Sequence, residues 1–350
     1  MGSDPARPRH RLLALTAIGI AVGLLVAGFV LSLMIGPWEL GFAEVANIIS
    51  VRLAGQIGDL GPADAIVWHG RLPRAITAVF AGFALGAAGT IMQGVFKNPL
   101  ADPGIIGTSS GAALGAVIAI YLGLAARTIY IIPIFAILFA FGALVVVLLV
   151  ATTGGLTSRY TLLLGGIAFN AMFAALSSVI IVLSTEQSEM ARTVVGWLMG
   201  DLNNRSWEHV HIVLATVLLG VLGSLLYARD LNILMISEEL ALNFGVNVVW
   251  VRNTLLFFAA LLTGGAIAVA GGIGFVGLIA PHVMRGFVGS DNRLLIPAAG
   301  IMGGIIVIFA DCLVRIWGHG GIRIGVLTAL LGGPFFLFLI IRDRKKYIFF

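Results

Sequence analysis

The sequence predicts an all-α polytopic membrane protein of ten transmembrane helices, and three observations predict it. Of 350 residues, 59% are hydrophobic and 11% charged, with a mean hydropathy of +1.07. A soluble domain is nearer about half apolar and about a quarter charged. Apolar runs of about 20 residues, enough to cross a hydrocarbon core of about 30 Å, recur along the whole chain. Most of the 46 glycines lie inside those runs, which suits helices packed backbone to backbone.

In order, the runs place spans at 12–35, 74–95, 104–124, 129–151 and 161–183. The second half supplies 209–227, 252–271, 274–289, 294–314 and 325–341, of which 274–289 is short and glycine-rich. A basic tail, 1–11, precedes the first run with no small-residue cleavage pattern, so that run reads as a retained helix. The largest polar gap is 36–70, and nothing is long enough for a separate soluble domain: 1–350 reads as one transmembrane domain. With ten spans, 13 of the 21 lysines and arginines fall on the side that holds Arg7, Arg9, Arg11 and the tail 342–350. The basic excess marks the cytoplasmic face, so both termini are expected there. Nine or eleven spans would split the two terminal basic clusters.

The net charge of +5 is no nucleic-acid signal, because only three lysines occur and the arginines are scattered. A lone cysteine, Cys312, excludes an intrachain disulfide and a cysteine-based metal site. No G-x-x-x-x-G-K-[ST] is present, so ATP binding through a P-loop is not expected of this chain. H-E-x-x-H is missing too, which argues against a membrane-embedded metalloprotease.

Residues 71–111 carry the densest pattern, two arginines, a run punctuated by Gly82, Gly86 and Gly89, and breaks at Asn98-Pro99 and Asp102-Pro103. The glycines predict close helix contacts. The breaks free backbone groups that must face protein or water rather than lipid. Ala88-Gly89 precedes Pro99 by the spacing at which Ala270-Gly271 precedes Pro281, and the two copies run in opposite directions across the membrane. That echo points to inverted-repeat halves.

Segment 229–251 is too polar to span and too patterned for a plain loop. Leu231, Leu234, Met235, Leu240, Leu242 and Phe244 form an apolar set beside Glu238 and Glu239, and Asn243-Phe244-Gly245 reads as a helix end. A helix lying on lipid is one reading, but such helices are usually basic. The acidic face favours docking of a cytoplasmic partner. At the other face, Arg71, Arg74 and Arg315 serve equally as headgroup anchors or as fixed charges for carboxylates of an outer partner. Arg323 and His319 lie at the same face, where a lone histidine is more often incidental than a ligand. Asp311, one turn before Arg315, reads first as half of an intramembrane pair and second as a proton relay.

RLPR at 71–74, NPLADPG at 98–104, WLMGDL at 197–202, GGIGFVGLIAPHVMR at 271–285 and GVLTALLGGPFF at 325–336 run in one order over nearly the whole chain. With these blocks the chain resembles the FecCD permeases of type II ABC importers for iron-siderophore, haem and cobalamin. The resemblance implies a homodimer of ten-helix subunits in a prokaryotic cytoplasmic membrane. It further implies two separate ATPase subunits that bind ATP and Mg, an extracytoplasmic binding protein, and no cofactor or metal on this chain.

Residue by residue, the resemblance implies binding-protein docking at Arg71, Arg74 and Arg315. It implies ATPase coupling through Ser237, Glu238, Glu239, Leu240, Asn243 and Gly245, and a cytoplasmic gate at Ser158, Arg159, Tyr160 and Thr161. The chain departs from the family where most members carry Glu-Leu-Pro before the last helix; Gly321-Ile322-Arg323 stand there. Either glycines rebuild that turn or Arg323 adds a partner contact. The expected function is alternating access driven by ATP; a stand-alone proton-coupled transporter using Asp311 is the rival, and a membrane scaffold a weaker third.

Overall fold

The computed structural model describes residues 6–55, 61–153, 156–185, 188–317 and 321–347. His319 and the outermost residues of both predicted tails lie outside these. Among the described residues eight helices are long and apolar enough to cross a membrane, and two shorter apolar helices, Thr108–Tyr121 and Val276–Val288, sit between them. These ten follow the predicted order.

Leu72–Phe96 and Val248–Ala270 form the centre, and burial separates them from the periphery. The richest apolar windows of Pro62–Phe96 and Val248–Ala270 are 83% and 72% buried, against 17% for Leu12–Met34 and 11% for Arg159–Leu183. The predicted glycine contacts are present. A Cβ on Gly82 or Gly86 would lie 2.2 and 2.1 Å from the carbonyl oxygens of Gly303 and Ala299 on Asn292–Trp317. One on Gly89 would lie 1.8 Å from that of Gly277 on Val276–Val288. Since apolar burial gains little within lipid, such backbone-to-backbone approach is what holds these crossings.

The order of helices repeats. A long helix, Leu72–Phe96, is followed by a break, the short Thr108–Tyr121, then Ile131–Ala151 and Arg159–Leu183. Val248–Ala270 is likewise followed by a break, the short Val276–Val288, then Asn292–Trp317 and Ile324–Tyr347. The Ala-Gly…Pro echo does not mark this repeat. Gly89 is mid-helix and Pro99 lies in a turn, whereas Gly271 caps a helix and Pro281 lies inside one. Gly and Ala are so abundant that the spacing recurs without structural meaning.

Two expected boundaries also shift. The second span begins at Pro62 rather than 74, because a π-helical stretch, Ala65–Arg71, joins the short Pro62–Asp64 turn to the long helix. Leu72 N donates to Val67 O there, just ahead of Pro73, which has no N–H to give. The gap 36–70 also holds a helix, Phe42–Leu53, tied by Arg52 to Asp64. The third span starts at Thr108, not 104, since Asp102 turns the chain into a 3-10 stretch, Pro103–Ile106, by accepting from Gly104 N at 2.8 Å. Finally, the all-α expectation has one exception. Thr152–Thr153 and Leu156–Thr157 pair as a two-residue antiparallel ladder.

Candidate functional site

The central helix Leu72–Phe96 has 25 residues, about 37 Å at 1.5 Å per residue, and a charged cluster lies at each end of it. Arg74 starts it. Lys97, in left-handed conformation, closes it.

At the Arg74 end, Asp311 is 1% exposed and binds arginines from two helices. Arg74 brings Nε within 3.1 Å of both carboxylate oxygens and Nη2 within 2.8 Å of Oδ1. The predicted i, i+4 partner is also present, with Arg315 Nε 3.1 Å from Oδ2. A carboxylate so placed is an ion-pair centre, and the pairing read from sequence is half of it. Arg315 Nη1 also donates to Ser32 O and Ile35 O at 2.8 and 2.9 Å. Arg71, 6% exposed, donates to Leu33 O at 2.8 Å, Met34 O at 2.9 Å and Trp38 O. Two of the three arginines therefore cap the last carbonyls of the first helix, which otherwise lack partners.

All three arginines, joined by Arg205, line one cavity of about 610 Å³. Burial pushes the Arg205 guanidinium down to about 10, with the Asp201 charge opposing and Arg74 adding to the effect. Arg205 donates to Asp201 O at 2.8 Å, while its Nε is buried without a partner. Sequence reading missed Arg205, because nothing local distinguishes it from a scattered arginine. The turn before the last helix is also settled. Arg323 pairs with Asp201, and Gly325 N donates to Met199 O at 3.0 Å. A Cβ on Gly325 would lie 2.1 Å from Gly272 O. A glycine contact and an internal ion pair thus form this turn, and Arg323 spends its charge on Asp201.

At the Lys97 end, segment 229–251 folds as two short helices, Ala228–Ile236 and Glu238–Asn243. Leu231, Leu234 and Ala241 are buried, while Leu242 and Phe244 are 61% and 68% exposed instead of joining the apolar face. Ser237 caps the second helix, accepting from Leu240 N at 3.4 Å, and Gly245 follows its end at φ +77° as the Asn-Phe-Gly reading expects. Glu239 and Asn243 are exposed.

Glu238 is otherwise engaged. Its Oε1 accepts from Arg159 Nη2 and from Arg252 Nη2, each at 2.6 Å. Burial first, then the Arg159 charge, push the Lys97 ammonium down, and Glu238 opposes them. Around the expected gate, Ser158 caps Arg159–Leu183 by accepting from Thr161 N at 3.3 Å, and Tyr160 is 82% exposed. The helix Ala228–Ile236 is fixed by a network absent from the sequence reading. Asn232 Nδ2 donates to Asp291 Oδ1, and Asn292 Nδ2 donates to Asn232 Oδ1, both at 2.7 Å.

Between the ends, the predicted breaks satisfy their own backbone. Asn98 Oδ1 accepts from Leu100 N at 2.9 Å, Thr108 Oγ1 donates to Pro103 O at 3.0 Å, and Asn170 Nδ2 donates to Gly104 O at 3.0 Å. Asp102, Ser109, Ser110 and Asn170 then supply the polar groups of an otherwise apolar cavity of about 540 Å³. Burial raises the Asp102 carboxyl, with the Gly104 N–H opposing.

Glycine-packed spans, two interrupted helices meeting near the centre and opposed basic clusters at the ends define a polytopic membrane transport protein. The chain belongs to the FecCD transport family, whose family model matches residues 24–342. It is 37% identical over 349 residues to the cobalamin import system permease protein BtuC of Halobacterium salinarum, covering 99% of this chain and 91% of that one. It is 37% identical over 329 residues to the hemin transport system permease protein HmuU of Yersinia pestis, covering 88% and 96%. A metal-chelate type ABC transporter solved in an inward-facing conformation matches with a TM-score of 0.79 and 32% identity, over 94% of this chain and 99% of that one.

Proposed function

We propose that this chain is the membrane-spanning permease subunit of an ABC importer. It takes a metal-chelate nutrient (haem, a ferric siderophore or cobalamin) from an extracytoplasmic binding protein into a prokaryotic cytoplasm by alternating access. The observation that carries the reading is the family match over residues 24–342, with 37% identity to two import permeases over 99% and 88% of this chain. Those relatives are named for different chelates at the same 37% identity, which supports selection by the binding protein rather than by this chain.

Ten crossings with both termini in the cytoplasm fit the contacts at the two ends. The first helix meets Arg71 at its C-terminal end, and the last begins beside Arg323 and Asp201 in the same cluster. Two further partners fit the surface. The Arg159–Leu183 helix, 11% buried over its apolar window, offers a face for a second copy about a shared axis. Glu239, Leu242, Asn243, Phe244 and Gly245 offer a mixed acidic and apolar surface to an ATPase subunit, which supplies ATP and Mg chemistry. At the outer end, four guanidinium groups around one cavity attract the acidic side chains of a binding protein.

Asp311 gives the proton-coupled rival little support, since both of its oxygens face arginines. Alternating access needs no covalent step. The chain converts a difference in affinity between two conformations into directed movement.

Reconstitution tests this reading. Liposomes holding the permease, its ATPase and its binding protein should accumulate chelate only when ATP is supplied. Uptake driven by a proton gradient without the ATPase would contradict it.

A further inference from the structure

One carboxylate oxygen joins the two regions that the proposed function needs to move together. Glu238 opens the second helix of the cytoplasmic segment. Arg159 opens the helix at the expected gate. Arg252 lies in the first turns of the central helix Val248–Ala270. Glu238 Oε1 sits 2.6 Å from a terminal nitrogen of each arginine.

The three groups differ in exposure, and that difference assigns their tasks. Arg252 is 3% exposed and Glu238 37%, so this pair anchors the segment to the core. Arg159 is 30% exposed, so its bond to Glu238 is a partly solvated strut from that anchor to the gate. Ser158 caps the same helix beside Arg159, so a pull on Arg159 acts on the helix terminus rather than on a loose loop. Glu239, next along, is exposed and has no such partner role to give up when an ATPase docks.

We propose that Glu238 is not an ATPase contact but the positioning residue that couples docking-segment movement to the gate helix through Arg159. This rests on the ABC-importer reading and adds to it which residue pair carries the motion. A single charge-assisted strut suits the task, because it fixes distance and direction between two helix starts and needs no continuous packing. Removing Arg159 leaves the Glu238–Arg252 contact in place and breaks only a partly solvated bond, so the fold is spared.

The test uses the full complex of permease, ATPase and binding protein in liposomes, with substrate moved per ATP hydrolysed as the readout. Arg159→Gln should lower that ratio at least tenfold while the ATPase still co-purifies with the permease. Arg159→Lys, which keeps a charge in reach of Glu238, should retain most of it. If Arg159→Gln leaves the ratio unchanged, or if Glu238→Gln strips the ATPase from the complex, the assignment is overturned. Failure of the underlying reading looks different: the wild-type complex itself would move no substrate on ATP.

Discussion

The two charged clusters share a plan and differ in burial. Each sets one carboxylate between two arginines from separate parts of the chain. At the Arg74 end the carboxylate is 1% exposed, and its arginines are 16% and 11% exposed; Arg315 spends a further donor on the first helix and Arg74 one on Asn203. At the Lys97 end the carboxylate is 37% exposed and one arginine 30%. A buried ion-pair cluster resists rearrangement, because exposing one unpaired charge there costs several kcal/mol (about 3–5). A solvated pair costs about 1 kcal/mol or less to break. The same residue types therefore make a clamp at one end and a movable joint at the other.

The contrast predicts unequal responses to substitution. Asp311→Asn should be the most damaging, lowering stability by about 3–5 kcal/mol in thermal unfolding, since Arg74 and Arg315 lose their shared counter-charge. A mutant with normal stability but no transport would instead revive the proton relay. Next comes the crossing that both clusters depend on. Gly89→Ala should cost about 1–3 kcal/mol or more by overpacking against Gly277, whereas Gly142→Ala, with nothing within 4 Å of the new Cβ, should be tolerated.

At the Arg74 end, joint reversal of Arg74 and Arg205 to Glu should weaken binding-protein association at least tenfold at low salt, with the difference shrinking as salt rises. Equal affinity in titration calorimetry would make the arginines purely structural. Smallest of all, Arg323→Gln should change the melting midpoint by the equivalent of about 1 kcal/mol or less, because that ion pair with Asp201 is 29% and 22% exposed.

Most of the fold was legible because lipid imposes a length on every apolar run, and glycines inside the runs announced close crossings. Boundaries failed where polar chemistry overrides that length. Asp102 starts a turn inside an apolar stretch, and the π-helical stretch ahead of Pro73 extends a helix into a gap that looked like loop. The site was legible as residue types but not as partnerships. Arg159 and Glu238 lie 79 positions apart, and Arg74 and Asp311 lie 237 apart, so no local spacing connects either pair. Only the Asp311–Arg315 half, one helical turn in length, was readable. Asn232 and Asn292 went unnoticed for the same reason, at 60 positions apart.

Hydrogen exchange across the transport cycle tests the joint against the clamp most directly. Peptides covering 159–163 and 238–245 should change protection together when the wild-type complex is trapped with ATP, while 311–317 stays constant. In Arg159→Gln the change at 238–245 should persist and that at 159–163 should disappear. A wild-type complex in which 311–317 responds as strongly, or in which 159–163 responds equally well without Arg159, would contradict the account.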